Sequence, residues 1–353
     1  LIGTDSTGLL DRGNGGAGIY FFGGVNTTTV GGATAGHRNV ISGNTTDGIY
    51  IQDAGTTDTV IQGNYIGVDL TGHAALPNGD RGVQIESGAN NTIVGGTAAG
   101  EGNVISANGN DGIIISDGAN PGTGTTGTVI EGNTIGVGAD GTTPLGNGNN
   151  GVRVTTEDGH RIGGELTTAG NEIAHNLGSG VVVQNATATT TPILGNSIHS
   201  NGDVGIDLSQ DGVTPNDSGD GDTGANDLLN FPVITSAAET AGTVSVDFDL
   251  DVPAGDYRIE FFTNSSGADP TGYGEGQDFA SAYAVVAHPG GSASYSTTVP
   301  GSAGDVITAT TTEDLGAAYR STSEFSAAVT AIAGNSPPVF DQDLLDRSDP
   351  EAI

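Results

Sequence analysis

The sequence predicts an all-β chain in two bodies, a solenoid of stacked coils over residues 1–230 and an antiparallel β-sandwich over residues 231–334. Three observations carry this. Segments of one length recur through the first two thirds of the chain. Glycine supplies 62 of the 353 residues, and short β-branched runs lie between Asn, Gly and Asp corners. Beyond residue 230 the runs lengthen and alternate apolar with polar at about ten-residue spacing. No strict Gly-X-Y period exists, which excludes collagen. The 34 % of apolar residues gather into Val/Ile clusters, which argues against disorder.

The repeats set the architecture of the first body. G-N-Y-I-G-V-D at Gly63–Asp69 returns as G-N-T-I-G-V-G at Gly132–Gly138, 132 − 63 = 69 residues on, and as G-N-S-I-H-S-N at Gly195–Asn201. N-V-I-S-G-N at Asn39–Asn44 returns at Asn103–Asn108, 103 − 39 = 64 residues on, and as N-E-I-A-H-N at Asn171–Asn176. Between them G-I-Y-I (Gly48–Ile51), G-I-I-I (Gly112–Ile115) and G-V-V-V (Gly180–Val183) correspond. Runs of three to five β-branched residues bounded by turn formers read as strands, and apolar faces of helical period are missing. A unit of 64 to 69 residues divides into three coils of roughly 21 to 23, near the size of one turn of a parallel β-helix. Some ten coils would give a rod on the order of 50 Å. Asn44, Asn108 and Asn176, and Asn64, Asn133 and Asn196, fall at corners. Asn tolerates left-handed backbone there, and its amide can bond an Asn in the next coil.

These pieces, with G-N-x-I-G-x-D-x-x-G at Gly63–Gly72, the Pro77–Gly79 corner, Gly82–Ile85, Gly88–Gly96 and Asn103–Asn108, resemble the right-handed parallel β-helix repeat regions of large bacterial and archaeal surface proteins. The resemblance covers about two thirds of the chain. It implies a right-handed parallel β-helix in an extracellular, adhesin-like setting. It does not fix the function, because the same coil carries polysaccharide lyases, hydrolases, epimerases and stalks that catalyse nothing.

After Gly205–Leu208 comes the densest run of oxygen ligands, Asp211 to Asp227. Asp217, Asp220, Asp222, Asn226 and Asp227 are the candidate ligands of a Ca²⁺ ion, with glycines supplying the bend. No Glu closes the loop and no helix flanks it, so a solvated acidic linker is the competing reading. In the second body, Pro232–Thr235, Thr243–Leu250, Tyr257–Phe262, Ser281–Ala287, Ser292–Val299 and Val306–Thr312 read as strands. Val244, Val246, Phe248, Tyr257, Ile259, Phe261, Val285 and Val306 are the expected core. The words Y-R-I-E-F-F (Tyr257–Phe262), G-E-G-Q-D-F (Gly274–Phe279) and S-T-S-E-F-S (Ser321–Ser326) resemble an Ig-like module of the kind that follows such β-helices. Residues 335–353 read as a Pro-Pro linker whose Pro-Val-Phe-Asp resembles the first strand of a cadherin-like domain. That tail could instead add a strand to a neighbour's sheet. The opening Leu1–Asp5 aligns with the interior of a repeat, which predicts part of something longer.

Charge narrows the function. Forty-two acidic residues face 8 basic ones, all Arg, for a net charge of −34. Such a chain repels nucleic acid and anionic membranes, and it folds best where Ca²⁺ or salt is plentiful. There is no Cys, Met or Trp, hence no disulfide and no thiolate metal site. No apolar run reaches membrane-spanning length, so no membrane insertion is expected in this segment. The one candidate for chemistry is Glu157-Asp158-Gly159-His160-Arg161, with His175 and His199 downstream. The His is followed by Arg, no Lys exists, and His160 reads as a surface turn residue. Asp5 and Asp69 match, but Gly138 breaks any ladder of acids. The aromatics Tyr20, Phe21, Phe22, Tyr50 and Tyr65 give a thin platform for sugars. The expectation is a non-enzymatic structural or adhesive segment of a secreted or cell-surface protein, calcium-stiffened, joined to adjoining domains and able to associate end to end. A carbohydrate-active β-helix enzyme (lyase, hydrolase or epimerase) is the alternative.

Overall fold

The structure is a computed structural model that describes residues 1–118, 124–155, 158–185, 188–265 and 267–334. Glu157 and residues 335–353, with the cadherin-like strand expected there, lie outside the described residues. Among the described residues the fold is all-β apart from one 3₁₀ turn at Ala225–Leu228.

Up to Leu208 the short runs build three parallel sheets. The first sheet has seven strands, Ile19–Phe21, Ile49–Ile51, Val83–Glu86, Ile113–Ser116, Val152–Val154, Val181–Val183 and Ile206–Leu208. The second has six, Thr29–Gly31, Val60–Gln62, Ile93–Gly95, Val129–Glu131, Arg161–Gly163 and Ile193–Leu194. The third has six, Val40–Ile41, Tyr65–Ile66, Val104–Ile105, Thr134–Ile135, Glu172–Ala174 and Ser197–His199. The chain visits the sheets in turn, so one strand from each makes one coil. Ile49, Val83, Ile113, Val152 and Val181 stack in register, and with Ile61, Ile66 and their equivalents they fill one continuous core. Burying each such side chain is worth about 1.5–3 kcal/mol. A coil this thin can hold itself together only by stacking.

The coil count differs from the expectation. Each repeat unit holds two coils, since Ile19 to Val83 (83 − 19 = 64) and Val83 to Val152 (152 − 83 = 69) each span two steps of the first sheet. The surplus residues leave the coil as loops pinned by the Val68↔Ala75 and Val137↔Pro144 bridges. Six inter-strand steps of about 4.8 Å make the stack roughly 29 Å long, not 50.

Two files of asparagines run the length of this body, buried except at their first members, the exposed Asn14 and the half-buried Asn39. One is Asn14, Asn44, Asn78, Asn108, Asn147, Asn176 and Asn201, and the other is Asn39, Asn64, Asn103, Asn133, Asn171 and Asn196. Each Oδ1 accepts from the Nδ2 of the Asn one coil earlier, as Asn133 Oδ1 does from Asn103 at 2.9 Å. A second Nδ2 bond reaches a backbone carbonyl, as from Asn133 to Val94 at 2.8 Å. The expected left-handed backbone falls one residue earlier, on Gly43, Gly63, Ala107, Gly132, His175 and Gly195. Asn is therefore selected for its amide and not for its φ. Gly136 shows the close approach the stack demands: at φ +86 its Cβ would sit 2.0 Å from the Ala174 carbonyl oxygen.

The second body has two antiparallel sheets. Val233–Thr240, Thr243–Val252 and Gly291–Pro300 form one with Ile332–Ala333, whose pairing to Val233–Thr240 is parallel. Gly255–Asn264, Asp278–His288, Val306–Asp314 and Tyr319–Thr322 form the other, with Val329–Thr330 at one edge. Seven of the eight expected core residues belong to its core, but Val306 gives its place to Ile307. Val306 opens its strand half-buried, and Ile307 is the first residue there to reach the interior.

Candidate functional site at the joint

The C-terminal end of a stack of coils leaves a row of backbone N–H groups with no following coil to accept them. Here the second body supplies the acceptors. Glu275 takes the backbone N–H of Asn201 at 2.9 Å, the Asn201 side-chain amide at 3.3 Å, and the N–H of Ser200. Its carboxylate occupies the place that the next Asn Oδ1 would hold in the file. Glu260 accepts from Gly195 N at 2.8 Å and is paired on its other oxygen with Arg258 at 2.8 Å. Glu324 accepts from Leu208 N and Thr214 N, both at 2.8 Å. Thr322 Oγ1 accepts from Ile193 N at 2.9 Å, and Ile198 and Gly276 exchange two backbone bonds of 2.8 Å. Phe262 and Phe325, packed edge to face at 5.4 Å, complete the apolar core of the stack. The sandwich is thus a plug whose polar and apolar groups imitate a coil.

The three carboxylates are nearly sealed from water, with Glu260 0 %, Glu324 3 % and Glu275 8 % exposed. Burial, opposed by the N–H donors, pushes the Glu324 carboxyl up to about 8. Burial likewise raises Glu260 and Glu275 above the usual carboxylate range. A buried carboxylate is tolerated only when its oxygens are hydrogen-bonded, and here each one is.

Beside this joint the acidic run folds back on itself. Asp217, Asp220 and Asp222 bring one carboxylate oxygen each to within 4.8 Å of the others. Asp217 accepts from Gly221 N at 3.1 Å, and Asp220 accepts from Asn230 N at 2.7 Å. Asp222 Oδ1 is shielded from solvent and receives no hydrogen bond. Burial, with the charges of Asp222, Asp217 and Glu313 nearby, pushes Asp220 up to about 7. An oxygen-only set under mutual repulsion, holding a shielded oxygen without a donor, fits a hard divalent cation such as Ca²⁺. The two remaining candidates do other work. The Asn226 amide is spent on Thr191 N, Thr191 O and Thr322 O at 2.8, 2.8 and 3.0 Å, capping the second sheet's corner. Asp227 receives Ser321 Oγ at 3.3 Å.

His160 is not a surface residue: it is 1 % exposed and continues the column of Thr59, Thr92 and Thr128 at the corner before the second sheet. Its Nδ1 accepts from Thr128 N at 3.3 Å, and burial pushes the ring down to about 4, so it is neutral near pH 7. His175 and His199 meet edge to face at 5.9 Å at the third sheet, on another side of the coil. Arg161 pairs with Glu131 at 2.8 Å. Asp5 and Asp69 each tie down their own loop, through Thr7 and Thr71 at 2.8 and 2.7 Å. A cleft of about 550 Å³ opens between Gly159–Arg161 and the Gly316–Arg320 turn, with Glu165 and Tyr319 bonded at 2.7 Å inside it.

Sequence reasoning missed the cap, although its residues sit in the three words singled out as Ig-like. A glutamate beside a buried phenylalanine in E-F-F and S-E-F, and one between two glycines in G-E-G, was the available signal. No protein-family model matches the chain, and no curated protein matches it.

Proposed function

We propose that this chain is a non-enzymatic structural or adhesive segment of a large secreted or cell-surface protein, a right-handed β-helical stalk continued by an Ig-like module and stiffened by Ca²⁺ at the joint. The observation that carries the reading is the continuity of the asparagine file into Glu275: the hydrogen-bonded stack does not end at the rod but runs into the sandwich, so load passes between them through buried bonds. Asp217, Asp220 and Asp222 would hold the ion, and its charge would relieve their repulsion where the connecting chain is tied down. No helix among the described residues is long and apolar enough to cross a membrane. A net charge of −34 suits a surface bathed in salt or calcium and a chain kept apart from like-charged neighbours.

Small-angle X-ray scattering of the full chain, with calcium and with EDTA, tests the stalk. One rigid elongated envelope that tightens with calcium is the expected result, and a joint that bends freely in both conditions overturns it. The carbohydrate-active alternative draws on one observation, the cleft of Arg161, Glu165, Tyr319 and Arg320. Incubation with uronic-acid polymers and neutral polysaccharides separates the two: release of reducing ends or unsaturated products would replace the stalk reading with the enzymatic one.

A further inference from the structure

The double coil shapes the outside of the third sheet. The chain passes from the second sheet to the third by eight residues at 32–39, 96–103 and 164–171, and by only two at 63–64, 132–133 and 195–196. It leaves the third sheet by sixteen residues at 67–82 and 136–151, and by seven at 42–48 and 106–112. Long loops therefore stand in a row on each side, with the outer face of the sheet between them. Val40, Tyr65, Val104 and Thr134 lie in register on that face, because Ile41, Ile66, Ile105 and Ile135 beside them enter the core. The result is a mid-rod trough of about 470 Å³, floored by Tyr65, Val104 and Thr134 and walled by loop residues that include Thr97, Ala139 and Thr168. From Tyr65 to Thr134 the floor spans two inter-strand steps, roughly 10 Å.

No carboxylate lines this trough, in a chain with 42 acidic residues, but Arg38 does. Its guanidinium lies over the Tyr65 ring at 4.1 Å, and its Nε donates to Gly63 O at 3.2 Å. Arg81, Arg153, Arg161, Arg258 and Arg320 are each paired with a carboxylate, whereas Arg38 is exposed and pairs with none among the described residues. Its two Nη groups and the hydroxyls of Thr97, Thr134 and Thr168 make no hydrogen bond there, so they are open to a ligand. The acids nearby stand aside: Glu101 spends its carboxylate on Ala98 N at 3.0 Å, and Glu172 lies one step beyond Thr134, where the acid-free stretch ends. We propose that the trough binds a segment of a linear anionic polysaccharide, with a carboxylate or sulfate of one sugar on Arg38 and the hydroxyls of the next sugars on the threonines. A guanidinium held flat on an aromatic ring presents a fixed fork of donors, which matches such an anion. The coil step of about 4.8 Å is close to the rise of one sugar in an extended chain, so successive floor positions meet successive sugars. A neutral sugar would call for an acceptor carboxylate, which the trough lacks. The net charge of −34 does not forbid an anion here, because salt screens distant charges beyond about 8 Å while Arg38 is in contact. The proposal rests on the adhesive reading, to which it supplies the ligand; the stalk stands without it.

The test is calorimetric titration of the full chain, in about 0.15 M NaCl with EDTA, so that the acidic cluster at the joint takes no part. Oligogalacturonate is the carboxylate probe, dextran sulfate of similar size the sulfate probe, and dextran the uncharged one. Wild type should bind at least one charged probe and not dextran, and the tighter of the two identifies the anion. Arg38→Gln should weaken binding by about tenfold or more, the worth of a charge-assisted hydrogen bond. Thr168→Asp, which sets a carboxylate in the exposed wall, should weaken it as well, and Arg161→Gln at the joint cleft should leave it unchanged. Both trough substitutions are at exposed positions, and thermal melting checks that each variant folds. Binding of neither charged probe overturns the proposal, as does dextran binding equally well. Affinity unchanged in Arg38→Gln or Thr168→Asp, or lost in Arg161→Gln, overturns it too. Each of these leaves the stalk reading in place. Shortened or unsaturated oligogalacturonate after incubation would instead overturn the adhesive reading itself, and it is seen as product, not as loss of binding.

Discussion

Replacing Glu275 by Ala removes the acceptor for the buried backbone N–H of Asn201, for the part-buried N–H of Ser200 and for one of the bonds of the Asn201 amide. The Asn201 Nδ2 keeps Ile173 O at 3.1 Å, so the cost falls on the two backbone groups. An unsatisfied buried donor costs about 1–3 kcal/mol, and Ser200 N adds less because water can reach it, so about 3 kcal/mol is the working figure for the pair. Three kcal/mol is on the order of a hundredfold in the equilibrium for local opening. Native-state amide exchange reads that equilibrium residue by residue. The exchange of Asn201 and its neighbours should speed up about a hundredfold, while Ile66 and Ile105 in mid-rod hardly change. Asp203→Ala, an exposed acid on the same coil, serves as control and should do nothing. Protection at Asn201 in Glu275→Ala within a factor of two or three of wild type would refute the plug.

Three further outcomes follow from the same geometry. Glu324, at about 8, and Asp220, at about 7, both lie above their unfolded values, so their contribution is fully present below about pH 4 and is lost as pH rises through 7 to 8. Without calcium the melting temperature should fall between pH 6 and pH 9, and Glu324→Gln should flatten the slope by up to about 1.4 kcal/mol per pH unit. Asn108→Asp puts a carboxylate where Nδ2 had bonded Asn147 at 3.0 Å, so it should cost at least about 3 kcal/mol in urea denaturation, whereas Asp203→Asn costs nothing. Gly136→Ala should prevent folding or lower the urea midpoint severely, because of the Ala174 carbonyl, while Gly212→Ala, at φ +85 with open space around it, should cost only about 1 kcal/mol.

The repeating words made the stacked fold legible, because a core position and a corner recur whenever a coil closes. The coil number was not legible: Asn78 follows Pro77 in a corner unlike Gly63-Asn64, yet it holds the same place in its file as Asn44 and Asn108. Residues that do the same job one coil apart need not share neighbours in sequence, so the unit looked single when it was double. The acidic cluster was half visible. Asp217, Asp220 and Asp222 lie within six residues and converge, but Asn226 enters the second-sheet cap because the chain turns left-handed at Asn226 and Asp227. The cap was hidden because alternation marks which residues face inward and says nothing about what lies opposite. Glu260 reads as an interruption between Ile259 and Phe261 until Gly195 is placed against it.

Calorimetric titration of the full chain with Ca²⁺ at fixed ionic strength, followed by thermal melting, is the sharpest test of a calcium-stiffened joint. Wild type should bind with measurable heat and melt several degrees higher than in EDTA, with Asp220→Asn and Asp222→Asn losing both effects. No binding heat and an unchanged melting temperature in EDTA would contradict it.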